Sequence, residues 1–114
     1  MNTLIFVYGT LKRGCENHGW IADQRFITQT RTQAFYRLYD LGGYPGMIRS
    51  EEGLCIEGEL WEVDAEGLAR LDLLEDTAGG EYERVPITLE DGTLAETYLY
   101  LRSTAGCRDC GECW

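Results

Sequence analysis

The sequence has few basic residues, and it has no long apolar run. Ten lysines and arginines stand against twenty acidic residues in the 114-residue chain, for a net charge of −10. That field repels phosphate groups, and Lys12-Arg13 is the only adjacent basic pair, so we expect neither nucleic acid nor a membrane as a partner. No apolar run approaches the roughly 20 residues that span a bilayer. The start, Met1-Asn2-Thr3, lacks the basic and then apolar pattern of a signal peptide, so we expect a cytoplasmic protein.

Two common catalytic motifs are absent from the sequence. The single histidine, His18, excludes a two-histidine zinc motif. No G-x-S-x-G segment supplies the serine nucleophile of an α/β-hydrolase. We expect His18 to cap a helix or to lie at the rim of a pocket rather than to catalyse.

The five cysteines are an odd number, which argues against a complete disulfide framework. Cys15 and Cys55 are isolated, while Cys107, Cys110 and Cys113 form a C-x-x-C-x-x-C run in a cysteine-rich tail, 104–114. In a chain without a secretion signal we expect reduced thiols and a mobile tail. The alternative is a zinc site that adds Cys15 or Cys55 as a fourth ligand, although the run lacks the spacing of paired zinc knuckles.

The pattern of apolar residues predicts a single α+β domain over residues 1–114. Apolar, aromatic or alternating composition predicts strands at 3–8, 33–39, 54–63, 82–89 and 94–101. In the 54–63 strand the alternation predicts a half-buried strand with Glu57 and Glu59 on the solvent side. The last two strands flank Asp91-Gly92, which predicts a hairpin with a type I′ turn. The glycine-rich segment 41–46 is predicted to be a loop.

One helix is predicted after Asp64, which can cap its first turn, and Gly79-Gly80 ends this region. At about 100° per residue its apolar stripe consists of Leu68, Leu71 and Leu74. Glu75 projects inside that stripe. A carboxylate directed at the core is unfavourable unless it is paired. Without a partner its pKa rises, and it becomes a better base. A catalytic function is a common reason why a protein tolerates such a residue. The alternative is a glutamate at a frayed helix end that reaches solvent.

The loop after the first strand is a second candidate site. It reads Tyr8-Gly9-Thr10-Leu11-Lys12-Arg13-Gly14, with a glycine near each end and a threonine inside. Such a loop lets backbone N–H groups converge on a carboxylate or a developing oxyanion. It is not a P-loop, because its lysine precedes the second glycine. A strand-to-turn connection without function is the alternative.

Several segments, taken in order along the chain, resemble the γ-glutamyl cyclotransferase-like proteins, most strongly the short γ-glutamylamine cyclotransferase and AIG2-like branch. The 8–14 loop is similar to the family's Y-G-[ST]-L substrate loop, and Tyr44-Pro45-Gly46 to its glycine-tyrosine-proline loop. Leu71-Asp72-Leu73-Leu74-Glu75 resembles the L-D-x-x-E segment whose glutamate is the catalytic base, and Tyr82 with Arg84 resembles the Y-x-R that follows. Asp76 departs from the pattern, because the family commonly has glycine there.

This resemblance implies a small closed or nearly closed mixed β-barrel with one to three helices. It also implies an enzyme, without metal or cofactor, that releases 5-oxoproline from a γ-glutamyl amine or peptide. Glu75 would be its general acid/base. The substrate-binding residues would be Tyr8, Gly9, Thr10, Leu11, Tyr44 and Tyr82. The substrate's own α-amine attacks its γ-carbonyl, so the enzyme has to supply a base and a folded-back pose but no nucleophile.

The sequence leaves the leaving group open between a free amine, a lysine side chain, a peptide and an antibiotic intermediate. It also leaves two other functions as alternatives. A non-catalytic binding module would hold a small anionic ligand in the same cavity, and an ionised Glu75 paired with Arg84 would favour it. A thiol or zinc protein would act through the tail cysteines, and an equimolar zinc content would favour that. No particular oligomeric state is predicted.

Overall fold

The computed structural model describes residues 2–114, which form eight strands and one α-helix. In chain order these are β1 (Thr3–Val7), β2 (Arg25–Arg31), β3 (Tyr36–Asp40), β4 (Pro45–Arg49), β5 (Glu57–Val63), α1 (Ala65–Leu74), β6 (Tyr82–Thr88), β7 (Leu94–Tyr100) and β8 (Arg108–Asp109). A short 3₁₀ helix, His18–Trp20, lies between β1 and β2. The predicted α+β class with one α-helix is confirmed. No helix of residues 2–114 is long and apolar enough to cross a membrane.

The strands form two sheets. The larger has the order β2-β5-β1-β7-β6, in which only the β1–β7 pair is parallel, and the smaller is the antiparallel sheet β4-β3-β8. The isolated bridges Thr32↔Leu89 and Tyr36↔Leu54 add local links outside the strands. Within residues 2–114 these ladders do not join into one closed barrel, so the barrel implied by the resemblance is not found.

The core consists of two apolar clusters on opposite faces of β1. Phe6 belongs to the cluster that connects the two sheets, whereas Ile5 and Val7 belong to the cluster that includes Leu71 of α1. A strand with apolar neighbours on both faces has a continuous apolar sequence, which explains why β1 was recognisable from its composition.

β5 differs from its predicted environment. The expectation of a half-buried strand with Glu59 facing solvent is wrong, because the Glu59 side chain is buried between β1 and β2 in the sheet. Its Oε1 accepts hydrogen bonds from Arg13 N at 3.0 Å and Trp61 Nε1 at 3.1 Å, and its Oε2 accepts one from Arg13 Nε at 3.1 Å. Burial raises the pKa of Glu59, but these hydrogen bonds and the Arg13 charge outweigh it and lower that pKa below its usual value. The buried carboxylate therefore ties the loop after β1 to the sheet.

Two predictions about loops need correction. Segment 41–46 is only partly a loop, because Pro45 and Gly46 are the first residues of β4. The β6–β7 hairpin is confirmed, but its turn is not type I′, which needs positive φ at two central residues. Here Gly92 alone has positive φ, +90°, and its N–H donates to Leu89 O at 3.0 Å, so the connection is a longer turn that ends in glycine.

α1 begins as predicted and ends earlier than predicted. Asp64 Oδ1 accepts a hydrogen bond from Gly67 N at 2.7 Å, which satisfies a free donor of the first turn. At the other end Thr77 N donates to Asp72 O and Asp76 N to Leu73 O, which is the Schellman pattern. Asp76 takes the left-handed position with a φ of +53°. The helix therefore ends at Leu74, with Glu75 as its C-cap, rather than at Gly79-Gly80.

The cysteine-rich tail is docked on the fold, which contradicts the expectation of a mobile tail. β8 pairs with β3, Cys110 N donates to Leu38 O at 2.8 Å, and Glu57 N donates to Glu112 O at 2.7 Å. Cys110 also packs against the cluster between the sheets. Residues 108–109 are thus part of the smaller sheet, and Glu112 connects the end of the tail to β5 of the larger sheet.

Candidate active site

A cleft of about 380 Å³ opens where β1, β4, α1 and the β6–β7 hairpin meet. Eleven residues line it: Phe6, Val7, Tyr8, Gly9, Thr10, Leu11, Tyr44, Pro45, Glu75, Tyr82 and Tyr98. All seven site residues named from the sequence are among them. The structure therefore brings together three segments, 8–11, 44 and 75–82, that lie more than thirty positions apart from one another in the chain.

Glu75 is the acidic residue of the cleft. It is the C-cap of α1, where its N–H donates to Leu71 O at 2.9 Å, and its side chain lines the cleft. Burial, and then the negative charge of Glu81, raise the pKa of Glu75 to about 7. The C-terminal end of a helix dipole further disfavours a negative charge. Within residues 2–114 the Glu75 carboxyl makes no hydrogen bond or ion pair, so it is free to exchange a proton with a ligand.

Four tyrosines surround Glu75, and three of them use their hydroxyls to hold the walls together. Tyr8 OH donates to Tyr98 O at 2.8 Å, Tyr82 OH donates to Pro45 O at 2.7 Å, and Tyr98 OH donates to Asp72 Oδ1 at 2.6 Å. Burial raises the pKa of all three phenols above the ordinary value. These hydroxyls therefore stay protonated and engaged.

Tyr44 is the fourth tyrosine and lies at the mouth of the cleft. Its hydroxyl donates to Glu81 Oε1 at 3.0 Å, and this hydrogen bond, followed by partial burial, raises the pKa of Tyr44. Of the groups that line the cleft, Glu75 is consequently the one whose pKa lies near neutrality.

The loop over 8–14 is held so that its first turn faces Glu75 across the cleft. Lys12 N donates to Gly9 O at 3.1 Å, while Asn17 donates through its backbone N to Thr10 O and through Nδ2 to Thr10 Oγ1, both at 2.9 Å. Among the hydrogen bonds of residues 2–114, none is donated by the N–H groups of Gly9, Thr10 or Leu11. These three residues line the cleft, and N–H groups without an internal partner are the kind of donor that binds an anionic group of a ligand.

Gly9 is required by the close approach of Pro45. A Cβ at position 9 would lie 2.5 Å from Pro45 Cγ and 2.9 Å from Pro45 Cδ. A proline ring has little freedom to move away, so a side chain at this position would push the loop off β4. Gly9 of the loop after β1 and Pro45 of β4 are thus one packing unit.

His18 has a structural role. Its Nδ1 donates to Leu11 O at 3.0 Å, and its ring packs 5.3 Å from the Trp61 ring, measured between centroids. It opens the 3₁₀ helix and does not line the cleft. The expectation that it would be structural rather than catalytic agrees with this position, although it lies behind the loop rather than at the pocket rim.

Arg84 is not paired with Glu75. Its Nε lies 3.7 Å from Asp72 Oδ1 and 3.6 Å from Glu96 Oε1. The ion pair that would have favoured a non-catalytic binding module is therefore not formed. Arg84 and Asp72 instead support Tyr98 from outside the cleft.

Sequence reasoning missed Tyr98 and Pro45 as wall residues. Tyr98 lies in the middle of β7, where an aromatic residue looks like ordinary core, and Pro45 was assigned to a loop. The register of the β6–β7 hairpin could have located Tyr98. It pairs Tyr98 with Arg84, and Arg84 lies near Asp72 at the end of α1.

The cysteines lie outside the cleft, and all five are free. In the described part of the chain no three side chains of His, Cys, Asp or Glu come together as a possible metal site. Cys15 and Cys113 line a separate groove on the side of β2 and β5.

Comparison with known proteins identifies a family. Residues 5–114 match the family described as "Gamma-glutamyl cyclotransferase, AIG2-like". A protein of Vibrio cholerae is 42% identical over 100 residues, which cover 88% of this chain and 84% of that protein. The "Gamma-glutamylcyclotransferase family protein YtfP" of Escherichia coli is 36% identical over 102 residues, with 90% and 86% covered.

Solved structures show the same fold. The crystal structure of c4763, a uropathogenic E. coli-specific protein, is similar with a TM-score of 0.84 at 33% identity, over 98% of this chain and 90% of that one. The crystal structure of an AIG2-like protein from Mus musculus has a TM-score of 0.73 at 31% identity, over 90% and 78% of the two chains.

Proposed function

The chain belongs to the γ-glutamyl cyclotransferase, AIG2-like family and is an enzyme of that class, and we propose that it releases 5-oxoproline from a γ-glutamyl amine or peptide with Glu75 as general acid/base. The observation that carries this proposal is a carboxyl with a pKa of about 7 and no protein partner, in one cleft with a loop, Gly9 to Leu11, whose N–H groups donate no hydrogen bond within residues 2–114. A general base is most effective when its pKa lies near the working pH.

The reaction begins with proton transfer from the substrate to Glu75. The α-ammonium gives a proton to the ionised carboxylate, and the neutral amine then attacks the γ-carbonyl carbon of the same molecule. A C–N bond forms and closes the five-membered ring, while the carbonyl electrons move to oxygen. Because both reacting groups belong to one substrate, binding in a folded-back pose replaces an encounter between two molecules.

The N–H groups of Gly9, Thr10 and Leu11 receive the negative charge of the substrate. Their residues line the cleft and the N–H groups have no partner within residues 2–114, so in this proposal they bind the developing oxyanion or the α-carboxylate. When the tetrahedral intermediate collapses, the C–N bond to the leaving amine breaks. Protonated Glu75 gives its proton to the leaving nitrogen as this bond breaks, and the oxyanion re-forms the carbonyl. The ring nitrogen gives its remaining extra proton to the Glu75 carboxylate, which passes it to the released amine, so the products are 5-oxoproline and the protonated amine and Glu75 is ionised again.

The test is a direct assay for the product. The protein is incubated with a panel of γ-glutamyl amines and γ-glutamyl peptides, and 5-oxoproline is quantified by mass spectrometry. We expect release from at least one member that depends on enzyme concentration and is lost in Glu75→Gln. Tight binding of a panel member without any 5-oxoproline would support the non-catalytic binding module instead.

A further inference from the structure

A second groove opens directly outside the cleft. It has a volume of about 600 Å³. Its lining residues are Thr10, Glu16, Asn17, Tyr44, Leu74, Glu75, Glu81 and Tyr82. Half of them also line the inner cleft: Thr10, Tyr44, Glu75 and Tyr82. The groove and the cleft are therefore one continuous path, with Glu75 at the junction.

The outer groove is acidic. Glu16 comes from the exposed end of the loop after β1, and Glu81 from the residue before β6. Glu81 uses Oε1 to accept from Tyr44 OH, and within residues 2–114 neither its Oε2 nor the Glu16 carboxylate accepts a hydrogen bond. No lysine, arginine or histidine of the described residues lines the groove. Arg102 influences the phenol of Tyr44 by its charge but is not part of the lining.

The position of the scissile bond decides which part of a substrate meets this groove. On the proposed function, the glutamyl group lies in the inner cleft, where its α-amine faces Glu75 and its oxygens face the loop after β1. Glu75 must then reach the leaving nitrogen as well. The leaving group therefore extends from Glu75 outward, between Glu16 and Glu81.

We propose that the outer groove selects γ-glutamyl amines whose leaving group carries an additional positive charge, with Glu16 and Glu81 as the specificity-determining residues. The proposal rests on the proposed function and names its substrate class. A second ammonium group on the leaving amine is attracted by both carboxylates. A carboxylate next to the leaving nitrogen, as in γ-glutamyl peptides, is repelled by them. The preferred substrates are accordingly γ-glutamyl diamines or polyamines rather than γ-glutamyl peptides.

The experiment compares three substrates of nearly equal length: the γ-glutamyl derivatives of diaminobutane, pentylamine and aminopentanoate. They end in an ammonium group, a methyl group and a carboxylate. We expect kcat/KM to decrease in that order. The readout is the kcat/KM for the diaminobutane derivative divided by that for the pentylamine derivative. A change in the basicity of Glu75 alters both values of kcat/KM by the same factor, so this ratio does not depend on it.

Glu16→Gln and Glu81→Gln should each reduce this ratio by about two- to fivefold, as expected for partly exposed charges, and the double variant by about five- to twentyfold. Added salt should reduce the wild-type ratio in the same direction. Glu51→Gln is the matched control: it removes the same charge from an exposed turn between β4 and β5 that lines neither groove nor cleft, and it should leave the ratio unchanged. Glu16→Lys should shift the preference towards the carboxylate-ended substrate.

Distinct outcomes overturn the inference and the function on which it rests. Release of 5-oxoproline with equal kcat/KM for the three substrates, or a ratio that neither glutamine variant changes, overturns the groove proposal and leaves the cyclotransferase intact. Turnover of γ-glutamyl peptides alone does the same. Absence of 5-oxoproline from every γ-glutamyl compound, with folded protein, overturns both.

Discussion

Replacement of Glu75 by glutamine should separate catalysis from stability. The amide side chain keeps the size and the polar contacts of the glutamate but cannot accept a proton. General acid–base groups typically contribute 10²- to 10⁴-fold, so we expect kcat to decrease by about that factor. KM should change little, because the loop N–H groups and the tyrosine walls remain.

The same substitution should stabilise the fold at neutral pH. Burial raises the pKa of Glu75 from 4.5 to about 7, which means that the folded state holds its proton more tightly than the unfolded state. Stability that the protonated form provides is fully present below pH 4.5 and is lost as the pH rises to about 7. At about 1.4 kcal/mol per pKa unit the upper limit of this loss is about 3 kcal/mol. The partly exposed carboxyl reduces it to about 1–2 kcal/mol.

An amide at this position has no proton to lose, so Glu75→Gln should be more stable than the wild type at pH 8 and equal to it at pH 4. For a domain of this size the gain at pH 8 corresponds to an increase in Tm of several degrees. The assay combines steady-state 5-oxoproline release with thermal melts at both pH values. Opposite changes in kcat and Tm are the signature of a buried catalytic carboxylate.

Asp76→Asn is the control for this experiment. Asp76 is the adjacent residue, its side chain is exposed, and asparagine tolerates its φ of +53° well. It should change kcat by less than a few-fold. Asp72 is a poorer control, because it accepts the hydrogen bond of Tyr98 OH. An active Glu75→Gln enzyme, or an Asp76→Asn enzyme that has lost its activity, would refute the assignment of Glu75 as the base.

Three further predictions concern pH, the loop glycine and the cysteines. The wild-type kcat/KM should rise about tenfold per pH unit up to the Glu75 pKa of about 7 and level off above it, and a flat profile between pH 5 and 8 would contradict a titrating base. Gly9→Ala should destabilise the fold by about 1–3 kcal/mol, because the added Cβ would contact Pro45, and it should lower kcat/KM. Gly19→Ala is the control: its Cβ would meet nothing within 4 Å, so it should leave Tm nearly unchanged. Replacement of the five cysteines by serine should keep kcat within a few-fold, because none lines the cleft. It should lower Tm slightly, because Cys110 packs on the core. A loss of kcat in folded protein would indicate a covalent thioester route.

The features that the sequence predicted correctly are local ones. β1 is a short apolar run that ends at a glycine, the hairpin flanks Asp91-Gly92, and α1 starts at a side chain that can cap it. Each of these depends on a few consecutive residues whose conformational preferences agree. Helical spacing also indicated that the Glu75 carboxylate points towards the core, although Glu75 is the C-cap of α1 rather than a residue of the helix. The family resemblance then made Glu75 the candidate base.

The features that the sequence did not predict depend on partners far along the chain. β2 carries no clear alternation, because it is an edge strand that is mostly exposed and gains its order from pairing with β5. Glu59 has the pattern of a surface residue, and its burial depends on hydrogen bonds from Trp61 and from Arg13, which lies 46 positions earlier. The tail docks through backbone hydrogen bonds, which any residue type can form.

The sequence by itself therefore indicated the helix, most of the core strands and the family, and it named Glu75 as the candidate base. Tertiary structure alone decided the environment of that carboxylate. The pKa of Glu75 depends on burial and on Glu81, and the cleft depends on the contact of Gly9 with Pro45 and on Tyr98. Solvent exclusion and charge proximity are properties of three-dimensional packing, so they arise only when these distant segments meet.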